Sequence, residues 1–177
     1  NVIDYVEIGT LGNALDFGDL NGNGGYKAGN LNSPTRGFVA GGSGPAGTNS
    51  GDIQMIIIAS KGNAIKTGNL SEITDNSTGA SNSIRGIVTF GERDSGSVSE
   101  LAVSFITLAS EGNAQEFGDL SVQRGRCGGT ANQTRAIFAG GNGYGSPSYI
   151  FFKSIDSMTI ATAGNAVDFG SLGNPKD

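Results

Sequence analysis

Apolar residues in this chain fall in short runs, such as Phe38-Val39-Ala40, Met55-Ile56-Ile57-Ile58 and Ala136-Ile137-Phe138-Ala139, separated by segments rich in Gly, Asn and Ser. Runs of four to six residues are too short for helices, and their richness in Ile, Val and Phe fits a pleated, packed surface, so they predict strands. Within one stretch the pattern predicts four strands: position A over 26–30, B over 37–40, C over 53–58 and D over 64–70. Position A and its later counterparts, 77–81 and 126–130, are rich in small residues, as the innermost strand of a radial array would be where strands crowd together.

The pattern repeats. Gly-Asn-Ala begins at Gly12, Gly62, Gly112 and Gly164, spaced 50, 50 and 52 residues apart. It carries with it Asn13, Asn63, Asn113 and Asn165, and it leads into Phe17-Gly18-Asp19-Leu20, Thr67-Gly68-Asn69-Leu70, Phe117-Gly118-Asp119-Leu120 and Phe169-Gly170-Ser171-Leu172. A second phrase lies between the copies: Thr35-Arg36-Gly37-Phe38-Val39-Ala40-Gly41-Gly42, Ile84-Arg85-Gly86-Ile87-Val88-Thr89-Phe90-Gly91 and Thr134-Arg135-Ala136-Ile137-Phe138-Ala139-Gly140-Gly141. A period near fifty marks a repeat architecture, in which no unit buries its apolar face alone. The chain therefore divides into a half unit at 2–20 (C and D), full units at 21–71, 72–121 and 122–172, and a tail at 173–177, all within a single repeat domain. Whole units are needed to close a ring, so three and a half predict an open array, pairing with other copies, or an internal piece of a longer protein. The start at Asn1, running directly into apolar Val2 and Ile3, favours the last.

Composition narrows the function. With 31 Gly and 4 Pro among 177 residues, and only 15% charged, tight turns dominate over salt-bridged helices. A net charge of −5 opposes any partner held through phosphates, which demands clustered Lys and Arg, so nucleic acid is not expected. His is absent and Cys127 is the single Cys, which excludes His-based and multi-thiolate metal sites, intrachain disulfides and the usual Ser/His/Asp and Cys/His catalytic sets. Cys127 reads as a small filler residue. No apolar run reaches the length of a membrane-spanning helix.

What chemistry remains is carried by turns and loops. Carboxylate pairs such as Asp16 with Asp19, or Glu116 with Asp119, have the residue types of a glycosidase, but they recur at the same place in successive units, whereas an active site occurs once. Residues 19–24, Asp-Leu-Asn-Gly-Asn-Gly, match the start of a calcium loop but lack the acidic twelfth ligand, since Asn30 stands there. No metal, cofactor or catalytic residue is expected. Gly12, Gly62, Gly112 and Gly164 with their Asn neighbours read as strand connections, and Arg36, Arg85 and Arg135 as internal braces on carboxylates or carbonyls. Alternating strand direction puts the A–B and C–D connections on one face and the B–C and D–A connections on the other. The B–C loops, 43–51, 92–99 and 142–148, differ between units, which makes theirs the expected binding face, with Arg93, Asp94, Asn142, Tyr144 and Tyr149 as candidate contacts.

Position B ending in Gly41-Gly42 or Gly140-Gly141, a variable loop, an apolar position C and a turn into a strand with an aromatic together resemble the kelch repeat. The wording of the repeated phrases is similar to that of repeats in structural and fibre proteins of marine bacteriophages. Phe17, Phe117 and Phe169 stand where kelch repeats carry Trp, and Thr67 stands there in the second copy. The resemblance implies β-propeller blades, each a four-stranded antiparallel meander. It further implies a non-enzymatic adhesive or structural role, as in a tail fibre or other virion appendage used for host attachment. Partners would be other virion proteins or copies of itself, together with a host-surface glycan or protein, and the location would be virion or extracellular. The alternatives are a secreted or intracellular protein-interaction module and a carbohydrate-active enzyme.

Overall fold

The computed structural model describes residues 1–22, 25–44, 47–93, 98–145 and 148–175. Every regular element among them is a strand. β1 (Val2–Tyr5) and β2 (Leu15–Asp19) form an antiparallel pair. β3 (Gly29–Asn32), β4 (Arg36–Ala40), β5 (Ser50–Ile57) and β6 (Ile65–Thr74) follow as a four-stranded antiparallel meander. A second meander comprises β7 (Thr78–Ser81), β8 (Arg85–Thr89), β11 (Ala102–Thr107) and β12 (Gln115–Asp119), with the small hairpin of β9 (Glu92–Arg93) and β10 (Val98–Ser99) between its second and third strands. The third meander is β13 (Gly128–Ala131), β14 (Arg135–Ala139), β17 (Ser154–Thr159) and β18 (Val167–Ser171), and it carries the hairpin of β15 (Asn142–Gly145) and β16 (Ser148–Phe151) at the same place. Sequential order within each sheet follows from short connections between neighbours. Among the described residues no ring of sheets closes.

The period-2 alternation of strands explains where the cores lie. Ile87 and Val88 are adjacent in β8 and point to opposite faces. Val88 joins Leu31, Phe38, Ile53, Met55 and Ile106 in one core, and Ile87 joins Val103, Phe117, Phe138, Met158 and Ile160 in the other. The middle sheet is thus sandwiched between its neighbours, and the cores are interfaces between successive units. Cys127 is a free thiol buried in the second core.

Two contacts recur between units. The first strands of the three meanders, β3, β7 and β13, lie side by side: the Thr78 hydroxyl donates to the Cys127 carbonyl (2.6 Å), and the Ser81 hydroxyl donates to the Asn32 carbonyl (3.0 Å). Small residues are required here, because a Cβ on Gly79 would stand 2.2 Å from the Asn30 carbonyl oxygen. At the opposite edge of the sheets, the second, third and fourth Gly-Asn-Ala turns dock on position D of the unit before them. Gly62 N–H donates to Phe17 O (2.8 Å), Ala64 N–H to Asp19 O (2.8 Å), and Asn63 Oδ1 accepts from Asp19 N–H (3.0 Å). The same three bonds link Gly112, Asn113 and Ala114 to Thr67 and Asn69, and Gly164, Asn165 and Ala166 to Phe117 and Asp119.

Local geometry makes that edge available. The pairing of C with D shifts register at Ile3/Asp4, Ile53/Gln54, Val103/Ser104 and Ile155/Asp156, which leaves Phe17, Thr67, Phe117 and Phe169 as the extra, unpaired residues of a β-bulge. The glycine after the bulged Phe adopts φ of +151° at Gly18 and +150° at Gly118, a conformation L side chains rarely take. A Cβ there would also meet the docked turn, at 2.4 Å from Gly62 O and from Gly164 O. The recurring Gly-Asn-Ala thus has a second duty that spacing alone did not disclose: its Asn is the latch between units.

The observed strands differ from the expected ones at their ends. Position A starts at Gly29 and not at residue 26, because Lys27 takes a positive φ of 58° and Tyr26 makes an isolated bridge to Ser43. Position D of the first unit runs on to Thr74, since Ser50 pairs with it. The later B–C loops contain paired hairpins rather than plain connections.

Candidate functional site

A non-glycine residue at positive φ occurs once in each unit and at the same place: Lys27 (58°), Asn76 (53°) and Arg126 (57°). Each follows a bridge residue of the D–A connection, and the bridges Tyr26 with Ser43, Asp75 with Glu92, and Gly125 with Asn142 are equivalent. The bridged partners Ser43, Glu92 and Asn142 come directly after the glycines that end position B. The double glycine turns the chain at φ of +71° (Gly41) and +89° (Gly42), and again at +68° (Gly140) and +89° (Gly141), which aims the following residue inward against the D–A connection. Left-handed backbone at Lys and Arg is uncommon and is held only where surrounding contacts determine it, as these bridges do.

The result is a cleft of about 760 Å³ on the face formed by the B–C and D–A connections. Carboxylates of the second unit, Asp75 and Glu92, stand in it, flanked by Lys27 from the first unit and Arg126 from the third. Lys27 Nζ lies 3.6 Å from Asp75 Oδ2, and Ser43 Oγ donates to the same oxygen at 3.3 Å. Arg126 Nη2 lies 3.2 Å from Glu92 Oε2, which also accepts from Asn76 Nδ2 at 2.7 Å. Both acids are buried, and their other oxygens, Asp75 Oδ1 and Glu92 Oε1, have no hydrogen-bond partner among the described residues. A buried carboxylate is costly unless it is paired, and here Lys27 and Arg126 offset the two acids.

Aromatic rings frame the acids. Lys27 Nζ sits 5.2 Å from the ring centre of exposed Tyr26, and the Arg126 guanidinium sits 5.2 Å from that of Tyr149. Tyr149 in turn meets Tyr144 edge to face at 6.0 Å, as cross-strand partners of β15 and β16. The arrangement supplies acceptors, two cations and exposed ring faces; among the described residues no group of three metal-ligating side chains gathers.

Of the expected binding residues, Tyr144 and Tyr149 are exposed on this face. Asn142 is buried and paired backbone to backbone with Gly125, with no hydrogen-bond partner for its Oδ1 among the described residues. Arg93 lies in β9, where its backbone pairs with Val98, and Asp94 lies outside the described residues. Sequence reading missed Lys27, Asp75, Glu92 and Arg126, because they differ in type from unit to unit and only the shared positive φ and bridge reveal their equivalence.

The remaining candidates lie elsewhere. Arg36 Nη1 donates to Leu108 O (3.0 Å) and Arg85 Nη1 to Ile160 O (3.2 Å) and Ala161 O (2.8 Å), so each reaches the next unit through main-chain carbonyls; Arg135 is exposed. Asp16 pairs with Asp4 across the half unit, and Glu116 with Ser104. Of the calcium-like stretch, Asp19 ends β2, Asn21 N–H donates to Gln54 Oε1 (2.6 Å), and residues 23 and 24 lie outside the described residues. No family model and no curated protein sequence matches the chain.

Proposed function

We propose that this chain is a non-enzymatic array of kelch-like blades that serves as an adhesive or structural part of a virion appendage, such as a tail fibre, and binds a host-surface glycan in the cleft of the B–C face. One observation carries the reading: the carboxylates of Asp75 and Glu92 line an open cleft together with Lys27, Arg126 and the exposed ring of Tyr26. Sugar hydroxyls are donors that match such oxygens, and exposed aromatic rings suit the apolar faces of pyranoses. The variable B–C loops fit a surface whose ligand differs among related arrays, while the recurring outer turns are engaged in holding units together. The blade reading is supported by the meander order of each sheet and by the side-by-side innermost strands.

The test is titration of the protein against surface polysaccharides and oligosaccharides by calorimetry, together with mass spectrometry of purified particles. Asp75→Asn and Glu92→Gln keep shape and remove charge, and each is expected to weaken glycan binding by about tenfold or more, the effect of losing one charge-assisted hydrogen bond. Exchanging residues 43–51 for 142–148 is expected to change which glycan binds while moving the melting temperature little. Binding that survives both carboxylate variants, or a partner captured only as a protein, overturns the glycan reading; absence from particles overturns the appendage.

A further inference from the structure

Between the second and third units, Arg126 joins the two sides of the cleft. Its left-handed backbone (φ of 57°) is held by the adjoining bridge of Gly125 with Asn142, which fixes where the side chain leaves the main chain. From there the guanidinium reaches back to Glu92 of the second unit, Nη2 to Oε2 at 3.2 Å, and lies 5.2 Å from the ring centre of Tyr149 in its own unit. Tyr144 is the cross-strand partner of Tyr149 and shares its face of the β15–β16 hairpin, where the two rings meet edge to face. All four groups belong to two units that adjoin inside the chain. Exposure decides what a ligand meets there. The Glu92 side chain is fully buried, whereas Arg126 keeps 35% of its side-chain surface and Tyr144 is 58% exposed. The acid lies beneath and the cation above, so a pair that is neutral in sum presents positive charge to the cleft. Glu92 engages Nη2 of Arg126, and among the described residues Nη1 and Nε have no partner.

We infer that Arg126 sets the specificity of the cleft and that the sugar it selects carries a carboxylate, as uronic and sialic acids do; this rests on the glycan reading above. The planar guanidinium fork matches a carboxylate with parallel N–H···O bonds, where a lysine offers only a point charge. Glu92 beneath holds the fork in position, and the exposed ring of Tyr144 takes the apolar face of the same pyranose. An acidic sugar therefore gains charge-assisted bonds that a neutral hexose lacks. The net charge of −5 acts at longer range and opposes densely charged chains, so the ligand bears its carboxylates singly and is not a sulfated or phosphorylated polyanion.

Calorimetric titration of the whole chain with sialyllactose and with a glucuronic-acid-containing disaccharide, each as the free acid and as its methyl ester, tests this. At least one acid is expected to bind about tenfold or more tightly than its ester, and the gap should narrow as salt is added. Arg126→Lys keeps a cation beside Glu92 and loses the fork, so it should melt like wild type and weaken the acid far more than the ester. Tyr144→Ala should weaken acid and ester alike. Acid and ester bound equally, or neutral oligosaccharides bound where neither acid is, overturn the inference and leave the glycan reading standing. A gap unchanged in Arg126→Lys, or a preference for sulfated lactose over both acids, does the same. If no glycan binds in any form, the glycan reading falls and takes this inference with it.

Discussion

Arg124→Met is expected to lower stability by about 3–5 kcal/mol, the usual consequence of leaving one member of a buried ion pair without the other. Arg124 and Asp156 are both fully buried, with Nη2 3.1 Å from Oδ2. The guanidinium also donates to Ser154 Oγ (2.6 Å) and to Phe138 O (3.2 Å), while Ser121 donates to Asp156 through both its hydroxyl (2.6 Å) and its N–H (2.9 Å). Methionine fills much of the space but strands a carboxylate in the third unit with Ser121 alone. For a chain of this length the melting temperature should fall by about 10 °C, read by thermal denaturation. Adding Asp156→Leu removes the stranded charge and should recover part of the loss. If Arg124→Met melts like wild type, the pair does not hold the unit together.

Gly42→Val is expected to cost about 2–5 kcal/mol, the sum of backbone strain and overpacking. A β-branched residue is a genuine outlier at φ of +89°, and its Cβ would stand 2.6 Å from Tyr26 O and 2.9 Å from Ala28 Cβ. The neighbouring Gly41, at φ of +71°, meets Leu70 Cδ1 at a gentler 3.1 Å, so Gly41→Val should lose less. Denaturant titration measures both. The order matters for function as well, because Gly42 delivers Ser43 to Asp75; a Gly42→Val chain that still folds should bind ligand poorly. Equal, small losses at both glycines would show that the turn does not need its left-handed backbone.

How much could be read beforehand varies with how a feature repeats. Position B was legible nearly to the residue, because short apolar runs flanked by Gly have few other readings and β4 occupies Arg36–Ala40, whereas position C begins at Ser50, three residues before the run at 53–58. Position A was displaced because Lys27 looks like any strand residue until its φ is known. Asp156 sits at the same place as Gln54, each accepting an N–H from the residue after the position-D Leu. Yet Arg124, which makes that site ionic in the third unit alone, has no counterpart to draw attention to it. The cleft was hidden for a related reason. Its four charged residues come from three units and share no motif.

Sequence by itself determined the strand content, the unit length and the assignment of Phe17-Gly18 and its echoes to one recurring place, since these depend on local periodicity and on glycine's access to positive φ. Only the tertiary structure decided that Asn63, Asn113 and Asn165 latch onto the preceding unit, and that Asp75 and Glu92 gather with Lys27 and Arg126 in one cleft. The reason is physical. A hydrogen bond or a buried face between residues some fifty apart depends on how rigid units are set beside one another, and no pattern along the chain encodes that placement directly.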